Sequence, residues 1–382
     1  MNYELFCTFA EMKIHVVSFQ VPYPANYGGA IDVFYKLKAL RERGYEVVLH
    51  TYVYGDRHEE PALEQVCSKV HYYPRKTGWC KQFSALPYIV TTRDSQQLLK
   101  DLCEDDAPIL FEGLHTCFFL NHPLLARRKK IVRMHNVEHK YYWRLAQQSG
   151  WNWRTIYYTI ESLRLRCFER QLRHADLICA ITKADMQAIE QMVPGKKVIH
   201  LPVFFDATFP STTTPTEPFV LYHGNLAVEE NQRAVEYIFR HIVPRCPDVR
   251  FVIAGRNAQF KHIPNNVQII DSPSDEQLDQ LLRTARIHLM LTFQPTGIKL
   301  KLLNTLVRGN GHIIANHDML YGHSFGRFCT RADKPENIVE AVYNLINTDL
   351  PAKELEKRQA YLIKIKKAGI SRLSLFQIGI SF

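Results

Sequence analysis

The sequence has no apolar run approaching the 18 or more residues that span a bilayer, so no segment reads as a membrane-spanning helix. It also has no Cys-x-x-Cys pair. Its nine cysteines are odd in number and scattered, which fits free thiols in a reducing compartment and excludes a disulfide framework or a zinc ribbon. The first eleven residues, MNYELFCTFAE, lack a positive n-region and a small-residue cleavage site, so they do not read as a secretory signal. Met12, followed at once by the strand-like residues 13–19, is the expected natural start, with an upstream extension before it. Acid is absent from residues 357–382, which hold six basic side chains. The net charge of 48 − 38 = +10 therefore falls to +4 for the rest of the chain, too mild to indicate nucleic acid as a partner. That basic end carries Ile370, Leu373, Leu375, Phe376, Ile378 and Phe382, and its two readings are a frayed terminus or peripheral contact with an anionic membrane.

What is present is the composition of a globular protein, 46% hydrophobic and 23% charged, and a length of 382 residues that suggests about two to three domains. A cytoplasmic location is the expectation, with a peripheral position at the inner face of the membrane as its variant. β-rich runs at 13–19, 46–51, 69–74, 109–112, 131–134 and 177–181 alternate with helix-period segments, which predicts a parallel, doubly wound sheet. Helices are expected over 29–43 and 154–174, the latter with Ile156, Ile160, Leu163 and Cys167 on one apolar face. Residues 208–218 hold nine Ser, Thr or Pro among eleven and read as a linker. Alternation then resumes with strands at 219–223, 250–254, 267–271, 287–292 and 312–315, a second α/β sheet. Thr182 and Ser274 carry helix-start signals. The expected organisation is 12–206, linker 207–218, 219–350, and a basic tail 351–382 that is truncated or altered, because Gly369 and Gly379 interrupt any helical pattern in it. Ligands of such sheets bind at the carboxyl ends of the strands, so the chemistry should follow strands.

After the first strand, Gly28 and Gly29 open a helix whose free N–H groups can hold a phosphate or a sugar hydroxyl; the plain alternative is a tight turn needing positive φ. The loop is not G-x-G-x-x-G. In the second half, Gln294 to Asn304 runs from loop into helix, and a helix starting near Gly297 lines up Gly297, Lys301, Asn304 and Arg308. Lys301 with that helix start can anchor a diphosphate; the alternative is a solvated helix face. Three further patterns have bland readings. His135-Asn136-Val137-Glu138-His139 spells H-x-x-E-H, but its first histidine ends a strand rather than sharing a helix with the second. Gly322-His323-Ser324-Phe325-Gly326 matches G-x-S-x-G without the strand and helix a nucleophile elbow needs. Arg127 to Lys130 is either a solvated turn or an attractor of anionic lipid.

From about Lys13 to Leu345 the sequence resembles the retaining GT-B glycosyltransferases of the family-four type (glycosyl transferases group 1). The resemblance rests on Gly28-Gly29, on the strand-end His135-Asn136-Val137-Glu138, and on residues 175–182. Residues 221–225, the Val252–Arg256 strand end and the Gly297-Ile298-Lys299-Leu300-Lys301 helix complete it. It implies two Rossmann-like parallel-sheet domains facing a cleft, a nucleotide-diphosphate sugar held by the second domain, a glycan or lipid-linked acceptor against the first, and no required metal or cofactor. It implies catalytic roles for His135 and Lys301. Donor-side positions are Gly28, Gly29, Gly224, Asn225, Arg256, Thr296, Gly297, Ile298, Lys299 and Asn304. Tyr27 and Glu138 fall on the acceptor side.

Departures matter as much as matches. The family commonly has two glutamates eight positions apart where this chain has Thr296 and Asn304, and an Arg and a Lys where it has Asn225 and Glu230. The phosphate burden then shifts to Lys299, Lys301 and Arg256, or the site is left empty. The expected function is a metal-independent retaining hexosyltransferase of cell-surface polysaccharide or lipopolysaccharide-type biosynthesis, without nucleic acid as a partner. The alternatives are a catalytically silent GT-B module and an H-x-x-E-H zinc hydrolase.

Overall fold

A computed structural model describes residues 12–25, 28–209, 216–257, 260–295 and 299–376. The chain divides into two compact units at Asp206/Ala207, and the residues from Lys366 onward return to the first.

The first unit holds a seven-stranded parallel sheet in the order β3-β2-β1-β4-β5-β6-β7. Its strands are β1 (Met12–Ser18), β2 (Tyr45–Val53), β3 (Lys69–Pro74), β4 (Ile109–Glu112), β5 (Lys130–Met134), β6 (Leu177–Ala180) and β7 (Val198–His200). Apolar side chains fill both faces, with Val17, Phe111 and Met134 on one and Ile14, Leu110 and Ile131 on the other, as a parallel sheet between helices requires. The second unit is six-stranded and parallel, β10-β9-β8-β11-β12-β13. It is built from β8 (Glu217–His223), β9 (Arg250–Gly255), β10 (Val267–Asp271), β11 (Ala285–Met290), β12 (His312–Ala315) and β13 (Thr330–Arg331). Eleven of these strands coincide with β-rich runs in the sequence; β7 and β13, with three and two residues, are too short to leave a pattern. Thr182 caps its helix by accepting from the Asp185 N–H, and Ser274 forms a reciprocal capping box with Gln277.

Three expectations need correction. The Trp153–Phe168 helix forms, but its apolar stripe faces outward, while Glu161, Ser162, Leu165 and Phe168 are buried. Polar burial is possible because the Glu161 carboxylate accepts from Tyr88 N–H (2.8 Å) and Arg164 (2.7 Å), and Ser162 Oγ donates to the His139 carbonyl (2.8 Å). The tail is helical over Ala352–Arg372 despite Gly369, and a 3-10 turn, Leu373–Phe376, follows. Leu373 and Phe376 are buried in the first unit beside Ile14, Leu37 and Leu40, with Ile370 and Leu375 packed against that cluster, so tertiary burial outweighs the roughly 1 kcal/mol that a helical glycine costs. Leu373 and Phe376 are therefore unavailable to a membrane, and Ile370 and Leu375 are partly covered; Ile378, Gly379 and Phe382 lie outside the described residues. Finally, the Arg127–Lys130 run is neither a solvated turn nor a lipid hook throughout. Arg128 is buried, donating to the carbonyls of Leu102, Asp105 and Ala107, and Lys129 donates to the Phe376 carbonyl at 3.1 Å.

Candidate functional site

In each sheet the strand order reverses once, between β1 and β4 and between β8 and β11, and open α/β sheets bind ligands at the carboxyl end of such a reversal. In the first unit that position holds a buried charge network. Asp32 and Lys36 stand four apart on the Gly28–Glu42 helix and so share a face. Glu112 ends β4, Arg133 is the penultimate residue of β5, and His135 follows that strand. Lys36 Nζ lies 3.0 Å from Asp32 and 2.8 Å from Glu112, and Arg133 makes a two-pronged pair with Asp32 at 2.8 and 2.9 Å. Arg133 also donates to the Leu201 and Pro202 carbonyls, and the Phe204 N–H donates to Asp32. Burial pushes the Asp32 carboxyl up, but Arg133 and then Lys36 outweigh it and hold it well below its ordinary value. Glu112 is likewise held below the ordinary value against burial, by Lys36, then His135 and Arg133.

The surplus acceptor capacity of Glu112 goes to His135, whose Nε2 lies 3.0 Å from Oε2. An accepting carboxylate places a proton on Nε2. Phe19, just past β1, packs edge-on to His135 (5.5 Å) and tilts against His115 (5.4 Å). A Cβ on Gly29 would stand 2.5 Å from Phe19 Cζ, so the second glycine permits this close approach, and it does so inside the helix rather than at positive φ. His115 Nδ1 is buried without a hydrogen-bond partner, and burial, then Arg93 and His135, keep its ring neutral.

In the second unit, Lys301 projects from the Leu300–Arg308 helix to the reversal point. Its Nζ lies 3.0 Å from each of Tyr222 Oη, Asn231 Oδ1 and the Leu291 carbonyl, and over the Tyr222 ring at 4.8 Å. Burial lowers its pKa to about 7, with Glu230 acting in the opposite direction and Lys299 adding to the fall. Asn231 ties this group to the loop after β8 by donating to the Asn225 carbonyl (2.8 Å), and a Cβ on Gly224 would press against the Asn231 side chain at 3.2 Å. Glu230 accepts from the Thr292 hydroxyl. His223, at the end of β8, bonds to Thr305 (2.9 Å) and is lowered to about 3 by burial, then Lys301 and Arg308.

The sequence-derived positions thus separate. His135 and Gly29 come together through Phe19, and Gly224, Asn225 and Lys301 come together through Asn231. Lys299 is buried and donates to the Gln294 carbonyl rather than facing outward. Arg256 is exposed, Asn304 is half-buried, and Arg308 lies 3.8 Å from Asp279. Glu138 is buried at the start of its helix, with Asn136 Nδ2 3.4 Å away. Burial, then Glu169, pushes its carboxyl up to about 8. Tyr27, Thr296, Gly297 and Ile298 lie outside the described residues.

Asp32, Lys36, Glu112, Arg133, His115, Tyr222 and Asn231 were missed from sequence. A signal was present for four of them: an Asp and a Lys at helical spacing after the glycine pair, and a charge at or next to the last residue of a mainly apolar strand for Glu112 and Arg133.

Among the described residues two sets of possible metal-ligand atoms lie within 4.8 Å of one another. Asp32, Glu112 and His135 already have their charge balanced by Lys36 and Arg133. In the second set, His50 and Asp101 share the Tyr73 hydroxyl at 2.7 and 2.6 Å, and His71 lies 3.3 Å from Asp101. The H-x-x-E-H histidines have separate partners, Glu112 for His135 and Glu169 for His139, which removes the geometry of a zinc hydrolase. Ser324 begins a 3-10 turn and is bonded by the Tyr361 hydroxyl, so the G-x-S-x-G match is a loop.

No family model matches the chain. An uncharacterized 44.6 kDa protein in the cps region of Klebsiella pneumoniae is 26% identical over 318 residues, 77% of this chain and 80% of that one. TarM matches with a TM-score of 0.68 at 11% identity, covering 96% of this chain and 99% of TarM. The E. coli trehalose-6-phosphate protein bound with UDP-2-fluoro glucose matches with a TM-score of 0.64 at 12% identity, covering 96% and 99%. The two parallel-sheet units have the fold of GT-B glycosyltransferases.

Proposed function

We propose that this chain is a glycosyltransferase that moves a hexose-type residue from a nucleotide-diphosphate donor to a glycan or lipid-linked acceptor, with retention and without a metal, in cell-surface polysaccharide or lipopolysaccharide-type biosynthesis. The observation that carries the reading is Lys301, desolvated at the reversal point of the second sheet and close to its protonation balance at neutral pH. A diphosphate beside it would draw a proton onto the amine and be neutralised in return. Lys301 would exchange one of its three internal acceptors for a phosphate oxygen, a charge-assisted bond contributing about 1.5–3 kcal/mol.

In the proposed reaction the bond from the anomeric carbon to the diphosphate oxygen breaks and one to the acceptor oxygen forms on the same face. The departing phosphate takes the acceptor proton. Charge develops on the diphosphate, where preorganised positive groups act most strongly. His135, its Nε2 proton held by Glu112, presents an oriented ring to the sugar, and the Gly28–Glu42 helix start supplies backbone N–H groups.

A panel of nucleoside-diphosphate sugars in a thermal-shift assay tests this. A donor at about 100 times its Kd adds about 2.7 kcal/mol, which raises the Tm by several degrees. Transfer from that donor to an acceptor must accompany binding. Binding without turnover selects the silent module, and no shift with any member of the panel removes the donor assignment.

A further inference from the structure

All four tryptophans of the chain are exposed, and all lie in the first unit: Trp79 (72%), Trp143 (48%), Trp151 (107%) and Trp153 (71%). They are not scattered. Trp153 begins the helix whose outward stripe continues through Ile156 (65%), Ile160 (44%) and Leu163 (55%). Trp151 sits in the turn before it, and Trp143 on the preceding Glu138–Gln148 helix. Trp79 stacks edge-on with the exposed Phe83 at 5.7 Å, and their 3-10 turn is tied to the stripe-bearing helix by Arg164 donating to the Gln82 carbonyl at 2.8 Å. The apolar groups therefore share one region of surface, far more than the scattered exposed leucine of an ordinary soluble face.

The exposed charge around them is predominantly positive. Between Lys140 and Arg173 there are seven Lys and Arg side chains, none fully buried, and the two acids, Glu161 and Glu169, are both fully buried. Lys76 and Lys81 flank Trp79 and share the single Asp94. Nucleic acid would reward the cations but not Ile156, Ile160 and Leu163. A second copy meeting this face symmetrically would bring the two cationic rims together. An anionic bilayer rewards both features, with aliphatic side chains in the acyl boundary, indoles at the headgroups, and Lys and Arg on the phosphates.

We infer that the Trp79–Phe83 turn and the outward face of the Trp153–Phe168 helix, with Trp143 and Trp151, dock this protein on an anionic lipid bilayer. The docking surface is in the first unit and does not depend on the donor reading, so either can fail alone.

The test uses the full chain and vesicles of phosphatidylcholine with or without about 30% phosphatidylglycerol, at about 50 and about 300 mM salt. Cosedimentation should show partition to the anionic vesicles at least about tenfold stronger than to the neutral ones, weakening at high salt. Indole emission should shift to the blue and be quenched by lipids brominated near the headgroup, since every indole lies on the proposed face. The triple variant Ile156→Ser, Ile160→Ser, Leu163→Ser should lose at least about tenfold in partition with unchanged circular dichroism. If that variant fails to fold, quenching in the unsubstituted protein decides. Absence of binding at low salt, partition without quenching, equal binding by the folded variant, or a stable dimer in solution that the variant dissociates would each overturn the assignment.

Discussion

Replacing Glu138 by glutamine should make the protein more stable at alkaline pH and leave it nearly unchanged at pH 4.5 and below. The carboxyl is buried beside Glu169, and its pKa rises from an ordinary 4.5 to about 8. Because the folded state holds this proton more tightly than the unfolded chain, the group's contribution is fully present below pH 4.5. It is lost progressively as pH rises to about 8, at up to about 1.4 kcal/mol per pH unit. The interval from 4.5 to about 8 sets a ceiling of about 5 kcal/mol. An amide at 138 keeps the volume and removes the ionisation. Histidines held neutral by burial, such as His50 and His115, also change stability with pH, but they do so in both proteins and cancel in the difference. Urea unfolding followed by circular dichroism at about pH 4.5, 7 and 9 measures it. The stability gain of Glu138→Gln should be near zero at the lowest pH and largest at the highest. Parallel curves, or a variant destabilised at every pH, would refute the reasoning, because Glu138 would then be ionised within the fold and held by a partner.

Two other outcomes follow from the same geometry. Lys301→Met should weaken nucleoside-diphosphate affinity by about tenfold or more, measured by calorimetry. It should also abolish the rise in affinity expected of the unsubstituted protein as pH falls from about 8.5 to 7 and the amine takes up its proton; an unchanged pH profile removes Lys301 from the site. Gly255→Ala places a Cβ 1.9 Å from the Gly224 carbonyl, backbone that cannot move aside as a side chain would. It should cost at least about 1–3 kcal/mol, and a neutral result in thermal unfolding would disprove the close approach of the two strand ends.

Local signals made much of the fold legible. Runs such as Lys69–Pro74, Ile109–Glu112 and Val267–Asp271 carry β-branched and apolar residues between turn residues, and Thr182 and Ser274 announce helices through side chains that reach backbone only three residues away. Site residues that follow strands, His135 and Gly224 among them, were legible for the same reason. The tail shows the limit of this logic. Leu373 and Phe376 have no local pattern that marks them as core, and only their fit beside Ile14 and Leu40, more than three hundred residues earlier, makes them so.

Periodicity by itself determined that Ile156, Ile160 and Leu163 share one side of a helix, and the alternation of β-rich and helix-period runs on either side of a linker determined two α/β sheets. Only the tertiary structure decided which way that side faces. Direction depends on what the opposite side can satisfy, and there Tyr88 and His139 supply the partners that let Glu161 and Ser162 be buried. The Asp32–Arg133 pair, one hundred and one positions apart, was beyond the sequence for the same reason. A charge inside a protein is tolerable only where an opposite charge or hydrogen-bonding partners meet it, and that meeting is a property of the folded chain rather than of any segment.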